Sequence, residues 1–158
     1  MPQRQPTYII CGFILLSLTT TSFAEPMRPQ FSRGFVLLAD GFKLEVEIAN
    51  TETQREYGLM HRTNLDENQG MLFIYPKTER QGVWMKNTLL ELDVLFLSEQ
   101  GRVSEILENL QPCRKAPCPI YISTTKVQYM LEVPAGFSVN HGIEPGQEFI
   151  LEYRHAPQ

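Results

Sequence analysis

The chain has 158 residues, 42% of them hydrophobic, with three cysteines and a formal net charge of -4. That length fits one compact domain with a self-sufficient core. An acidic balance with no basic run longer than Arg114-Lys115 argues against nucleic acid as a partner, because phosphate neutralisation needs a concentrated basic surface.

The first 24 residues read as a secretory signal peptide. Arg4 supplies a positive start, Ile9 to Leu18 form an apolar stretch, and Ser22-Phe23-Ala24 places small residues where a signal peptidase cuts. Cleavage is expected after Ala24, giving a periplasmic or secreted protein. The apolar stretch is about half the ~20 residues that a spanning helix needs, and nothing later is long enough, so no membrane span is expected after cleavage. Residues 25–33 contain proline and are mostly polar, which suggests a flexible leader before a single domain at 34–154 and a short tail at 155–158.

Phe35 to Ala39 runs into Asp40-Gly41, a hairpin signal, and Phe42, Leu44, Val46 and Ile48 alternate with polar residues as a half-buried strand. Thr51 and Gln54 fit a capping box that opens a short helix, stopping near Gly58. Gly70–Tyr75, Gln81–Asn87 and Leu92–Leu97 read as strands, and Ser98 to Gly101 as a tight connection. Arg102–Leu110 reads as an extended segment with room for a bulge. Cys113 and Cys118 form an even pair in an exported chain and are expected to join as a disulfide that pins a loop over 111–122. Val127–Val133 and Gln147–Tyr153 complete the strands, and Pro134–Gly142 suits one or two helical turns. The expected fold is mostly β (α+β by strict count): an antiparallel or mixed sheet, or a partly open barrel, of about eight short strands with two short helices. Strands that follow one another without helical crossovers do not make a doubly wound sheet.

The stretch from Gly82 to Leu97 carries the most chemistry. If strands 82–87 and 92–97 formed a hairpin with Thr88–Glu91 as its loop, Trp84, Lys86, Asp93 and Leu95 would share one face. Lys86 and Asp93 would then be either a cross-strand ion pair or the polar pair of a binding pocket. Glu132 is a second acid among apolar residues, either on a solvated outer face or in the same site, and Asn87 neighbours Lys86. The candidate ligand-binding residues are therefore Trp84, Lys86, Asn87, Asp93 and Glu132.

These residues sit within a longer pattern. Gly58-Leu59-Met60, Gly70-Met71-Leu72-Phe73, Trp84-Met85-Lys86-Asn87-Thr88, Leu92-Asp93, the Pro-Cys loop, Tyr129–Glu132, Pro134-Ala135-Gly136 and the Gly-Ile-x-Pro-Gly turn at 142–146 resemble, in this order, the domain of unknown function 192 family. The resemblance spans about residues 35–153. It implies a small β-rich domain, often behind a signal peptide, and brings no settled activity with it. The chain departs from the family pattern at Gly146-Gln147, where an acid usually follows the glycine.

His61, His141 and His155 have no short metal-ligand spacing, and no cofactor motif is present. Gly136–Asn140 falls one residue short of a nucleophile elbow. Met60, Met71, Met85 and Met130 could be soft copper(I) ligands but each lies in or beside an apolar run. The expected function is a non-catalytic module that binds a small molecule or envelope component. The alternatives are an envelope interaction protein without a pocket and a small acid–base enzyme using Lys86 and Asp93; oligomeric state is left open.

Overall fold

The computed structural model describes residues 28–154. The signal peptide, its cleavage site and the tail lie outside the described residues.

Strands β1 (Ser32–Leu37) and β2 (Lys43–Ala49) form the expected antiparallel hairpin. Its turn is held by the Phe42 amide donating to Asp40 Oδ1 at 2.8 Å, with Gly41 at φ 88°. Leu44, Val46 and Ile48 are buried while Lys43 and Glu45 are exposed, so the alternation in the sequence is the alternation of the strand. Strand β1 begins earlier than its sequence suggests. Ser32 and Arg33, placed in the leader, already pair with Ile48 and Glu47.

Helix α1 (Glu52–Tyr57) starts at the anticipated capping box, with the Gln54 amide donating to Thr51 Oγ1 and the Thr51 amide to Gln54 Oε1. It ends at Gly58, whose φ of 48° and close approach to the Phe73 ring both suit a residue without a side chain. The helix carries the chain over, so that β3 (Gln69–Glu79) lies parallel to β2, with Glu45 opposite Gln69 and Ala49 opposite Phe73. This one helical crossover corrects the expectation of strands joined without any. It makes the sheet mixed rather than antiparallel.

Strands β4 (Gly82–Trp84), β5 (Leu92–Leu97), β6 (Val103–Leu110), β7 (Ile120–Ile122), β8 (Val127–Pro134) and β9 (Ile150–Tyr153) follow, with a four-residue helix α2 (Phe137–Asn140) before the last. Seven strands form one sheet in the order β6-β5-β8-β3-β2-β1-β9, which does not close into a barrel. The supposed hairpin of β4 with β5 does not exist. β4 pairs antiparallel with β7, which the sequence placed inside the disulfide loop, and the two make a separate ribbon. β5 instead lies between β6 and β8, and all six of its residues are buried. A strand covered on both faces reads as a continuous apolar run and carries no signal about its neighbours.

The sheet has an apolar layer on each face. Leu44, Ile48, Leu72, Leu95, Leu131 and Val133 pack with Phe137 of α2 on one side. Met71, Phe73, Val94, Phe96 and Met130 pack on the other under Val83 and Met85 of the ribbon segment and Leu59 beyond α1. Cys113 and Cys118 are disulfide-bonded, with Cα atoms 5.7 Å apart. The Cys113 amide donates to Met85 O at 3.1 Å, so the pinned loop is seated against the segment that follows β4.

Candidate functional site

Alternation along β8 decides which acid can belong to a site. Leu131 and Val133 face the α2 side, so Met130 and Glu132 face the ribbon side. Glu132 is 6% exposed and lines a small open cleft of about 60 Å³. The walls are Phe73, Tyr75 and Met130 from the sheet, Arg55, Glu56 and Tyr57 from α1 with Gly58, Leu59 and Met60 from the turn after it, and Gly82, Val83, Trp84 and Thr88 from the ribbon segment. Among the described residues the Glu132 carboxyl has no hydrogen-bond partner. Burial pushes its pKa up to about 8, against a smaller opposing pull from the Arg62 guanidinium. At neutral pH it is mostly a neutral acid that can both donate and accept a hydrogen bond.

The neighbours of Glu132 are already committed elsewhere. Arg62 is paired with Glu47, Nη1 to Oε1 at 3.2 Å and Nη2 to Oε2, while its Nε is buried without a partner among the described residues. Arg55 donates to the carbonyls of Asn50 and Ile74 at 2.8 and 3.0 Å and lies 5.6 Å from the Tyr75 ring centroid. Burial, followed by the charge of Glu132, raises the pKa of the Tyr75 hydroxyl. The cleft thus joins apolar and sulfur-bearing side chains of the sheet to a polar wall of Arg55, Glu56 and Tyr57, with Tyr75 and the buried Glu132 carboxyl beneath.

The two lips of the cleft are tied together. The His61 amide donates to Asn87 O at 2.9 Å, and Asn87 Nδ2 lies 3.8 Å from Met60 Sδ. Asn87 and His61 both take positive φ, 56° and 62°, which asparagine and histidine tolerate better than most residues. Asn87 therefore shapes the mouth rather than the floor. Trp84, 39% exposed, stands at the rim, and the Lys86 ammonium rests 4.9 Å from its ring centroid on the outer side.

Asp93 belongs elsewhere. It sits on the α2 face of β5, fully buried, and accepts hydrogen bonds from the Ser138 amide (3.0 Å), the Ser138 hydroxyl (2.5 Å) and the Asn109 amide (2.8 Å). The sheet itself separates it from the ribbon, so the supposed Lys86–Asp93 pair is corrected: Lys86 meets Trp84, and Asp93 clamps α2 and β6 to β5. Of the five candidates, the structure brings Trp84 and Glu132 to one cleft, puts Asn87 and Lys86 at its border, and removes Asp93. The sequence named Met60 and Met130 only as possible copper(I) ligands and did not single out Tyr75 or Thr88. Position was the signal for Met60, Thr88 and Met130, since the segments 58–60, 70–73, 84–88 and 129–132 that carry the family pattern converge on this cleft; Tyr75, two residues beyond 70–73, had none.

A small mixed sheet with one helical crossover, a disulfide-pinned ribbon over one face and a buried acid beneath that ribbon defines a class of compact single-domain proteins. The chain belongs to the DUF192 family, described as an uncharacterized ACR, whose model matches residues 35–151. Among solved structures it is similar to a putative transcription regulator from Sinorhizobium meliloti 1021, with 36% identity, 80% of this chain and 98% of that one covered, and a TM-score of 0.69. It is also similar to a protein of unknown function from Novosphingobium aromaticivorans DSM 12444, with 26% identity, 85% and 98% coverage, and a TM-score of 0.68. No curated protein matches the chain.

Proposed function

We propose that this is an exported, non-catalytic binding domain whose cleft holds a small, mostly apolar molecule by a hydrogen bond to Glu132. The observation that carries this reading is a buried carboxyl with no partner, set in a cleft beside an exposed tryptophan. A cleft that combines apolar and aromatic side chains with convergent polar groups is the usual make-up of a small-molecule site. A neutral acid pairs best with a group that accepts and donates at once, so a neutral amide is the favoured ligand chemistry, with ketones and esters next.

The same raised pKa favours a second reading, general acid–base catalysis by Glu132. It ranks below binding because the titrating group coupled to that carboxyl in the cleft, the Tyr75 hydroxyl, is itself pushed up by burial and is a poor proton acceptor near neutral pH. The word regulator in a relative's name does not transfer readily, since α1 and α2 have six and four residues and neither is long enough to read a groove.

The test is a thermal-shift screen of oxidised residues 25–158 with small apolar amides, ketones, esters and amines. A ligand at about a hundred times its Kd adds ~2.7 kcal/mol, a readable shift. Hits should be neutral carbonyl compounds, lost in Trp84→Ala and Glu132→Ala and unchanged in Lys86→Ala. A blank for carbonyl compounds, or hits indifferent to Glu132, would overturn the proposal.

A further inference from the structure

The ribbon has an outer face that the cleft does not use. Side chains opposite one another in an antiparallel pair share a face, so Trp84 with Ile120, and Gly82 with Ile122, point away from the core while Val83 and Tyr121 point into it. Ile120 and Ile122 are 61% and 56% exposed, and the Ile120 side chain lies across Gly82, where any Cβ would sit 3.0 Å from it. Cations bracket this apolar row. Arg80 and Lys126 flank one end, and Lys86, Arg114 and Lys115 flank the other, where Lys86 bridges to the disulfide loop. All five are exposed. Of the chain's fourteen Lys and Arg these five lie within 80–88 and 112–126, and none of its eighteen Asp and Glu does. Two acids of the main sheet border the first end: Glu79, opposite Val127, and Glu105, which is held by two hydrogen bonds to Thr124.

We infer that this ribbon docks the domain on an anionic phospholipid bilayer. An acidic chain that gathers its unopposed cations around a tryptophan and two isoleucines is complementary to a negatively charged surface with an apolar interior. Tryptophan settles at the headgroup level, aliphatic side chains reach below it, and lysines on flexible stems meet the phosphates. A bilayer needs no matching pocket, only such an exposed apolar row ringed by cations. Three of the five cations are lysines, point charges suited to a diffuse anionic surface, and the Arg80 Nε is already bonded to Ser123 O. The cleft mouth shares Trp84 with this face, yet the docking residues Ile120, Ile122, Arg114 and Lys115 lie outside the cleft.

Trp84 is the only tryptophan, so its emission reports directly on docking. Residues 25–158 are mixed at low salt with phosphatidylcholine vesicles containing about a third phosphatidylglycerol, and with pure phosphatidylcholine vesicles. Docking gives a blue shift and co-sedimentation with the anionic vesicles alone, weakened at least tenfold in 0.5 M salt. Ile120→Ser/Ile122→Ser and Arg114→Glu/Lys115→Glu should each lose it at least tenfold while melting as the parent does. If either pair proves unfolded, the parent's charge and salt dependence still decide. No partition onto anionic vesicles, or full partition by folded variants, would overturn the proposal. Saturable binding of an acidic peptide or duplex DNA without vesicle binding would also overturn it, assigning the ribbon to that partner.

Discussion

At the residue scale the informative contrast is between two buried acids on opposite faces of one sheet. Asp93 is fully satisfied by three donors; Glu132 is not. The folded protein holds a proton on Glu132 up to about pH 8, whereas the unfolded chain releases it near the ordinary glutamate value of 4.5. Between those values the folded state binds more protons, so stability is highest at the acid end and falls as pH rises, by up to about 1.4 kcal/mol per unit. Above about pH 8 the loss is complete. Urea titrations at pH 5 and pH 8 should show this decline in the parent and a clearly flatter response in Glu132→Gln. Removing Asp93 acts the other way. Asp93→Ala strands two amides and a hydroxyl in the core and should cost at least about 3 kcal/mol at neutral pH, read from the shift in denaturation midpoint.

Much at this scale was legible and some was not. The sequence marked Trp84, Asn87 and Glu132 as residues out of keeping with their surroundings. It could not decide between a solvated and a buried face for Glu132, because β8 has neighbours on both sides and a ribbon above. The Lys86–Asp93 pairing failed for a related reason. A short loop between two apolar runs is the only local sign of a hairpin, and the true partner of β4 lies beyond β6, on the far side of the disulfide loop.

At the element scale, boundaries with their own chemistry were readable: the Asp40-Gly41 turn, the Thr51–Gln54 capping box and the Cys113–Cys118 pair are all where the sequence put them. The parallel partnership of β2 and β3 was not, since a six-residue helix is shorter than most crossover helices. The disulfide closes a short loop, so its reduction should cost roughly 2 kcal/mol on the chain-entropy model and leave the main sheet folded. Because that loop seats the ribbon, hydrogen exchange after reduction should quicken first at Cys113 and along β4–β7, with β5 and β8 unchanged. Glycines at close approaches are a sharper test. A Cβ at Gly70 would lie 2.7 Å from Glu132 O, backbone that cannot yield, so Gly70→Ala should destabilise by about 1–3 kcal/mol and distort the cleft floor in the same stroke. Parallel losses of melting temperature and of any cleft ligand in that variant would confirm it.

At the scale of the whole molecule, charge is distributed by function rather than evenly. The basic ribbon was invisible in the sequence because its two halves are separated by more than twenty residues and neither is a basic run. The fold brings them together, while all eighteen acids lie outside those two segments together with the other nine Lys and Arg. The sheet also brings together the first and last strands: Gly34 lies opposite Tyr153, and β1 separates β2 from β9. The backbones touch closely enough there that a Cβ on Gly34 would meet Glu152 O at 2.6 Å. The incoming and outgoing chains therefore pass the same point on the surface, far along the order of strands from β5. Such a domain can be spliced into a host loop, or circularly permuted through a short glycine-serine linker joining Arg154 to Arg28, without moving any strand. New ends opened between Glu99 and Gln100, the exposed tip of the turn joining β5 to β6, would give a permutant that keeps the cleft and the ribbon.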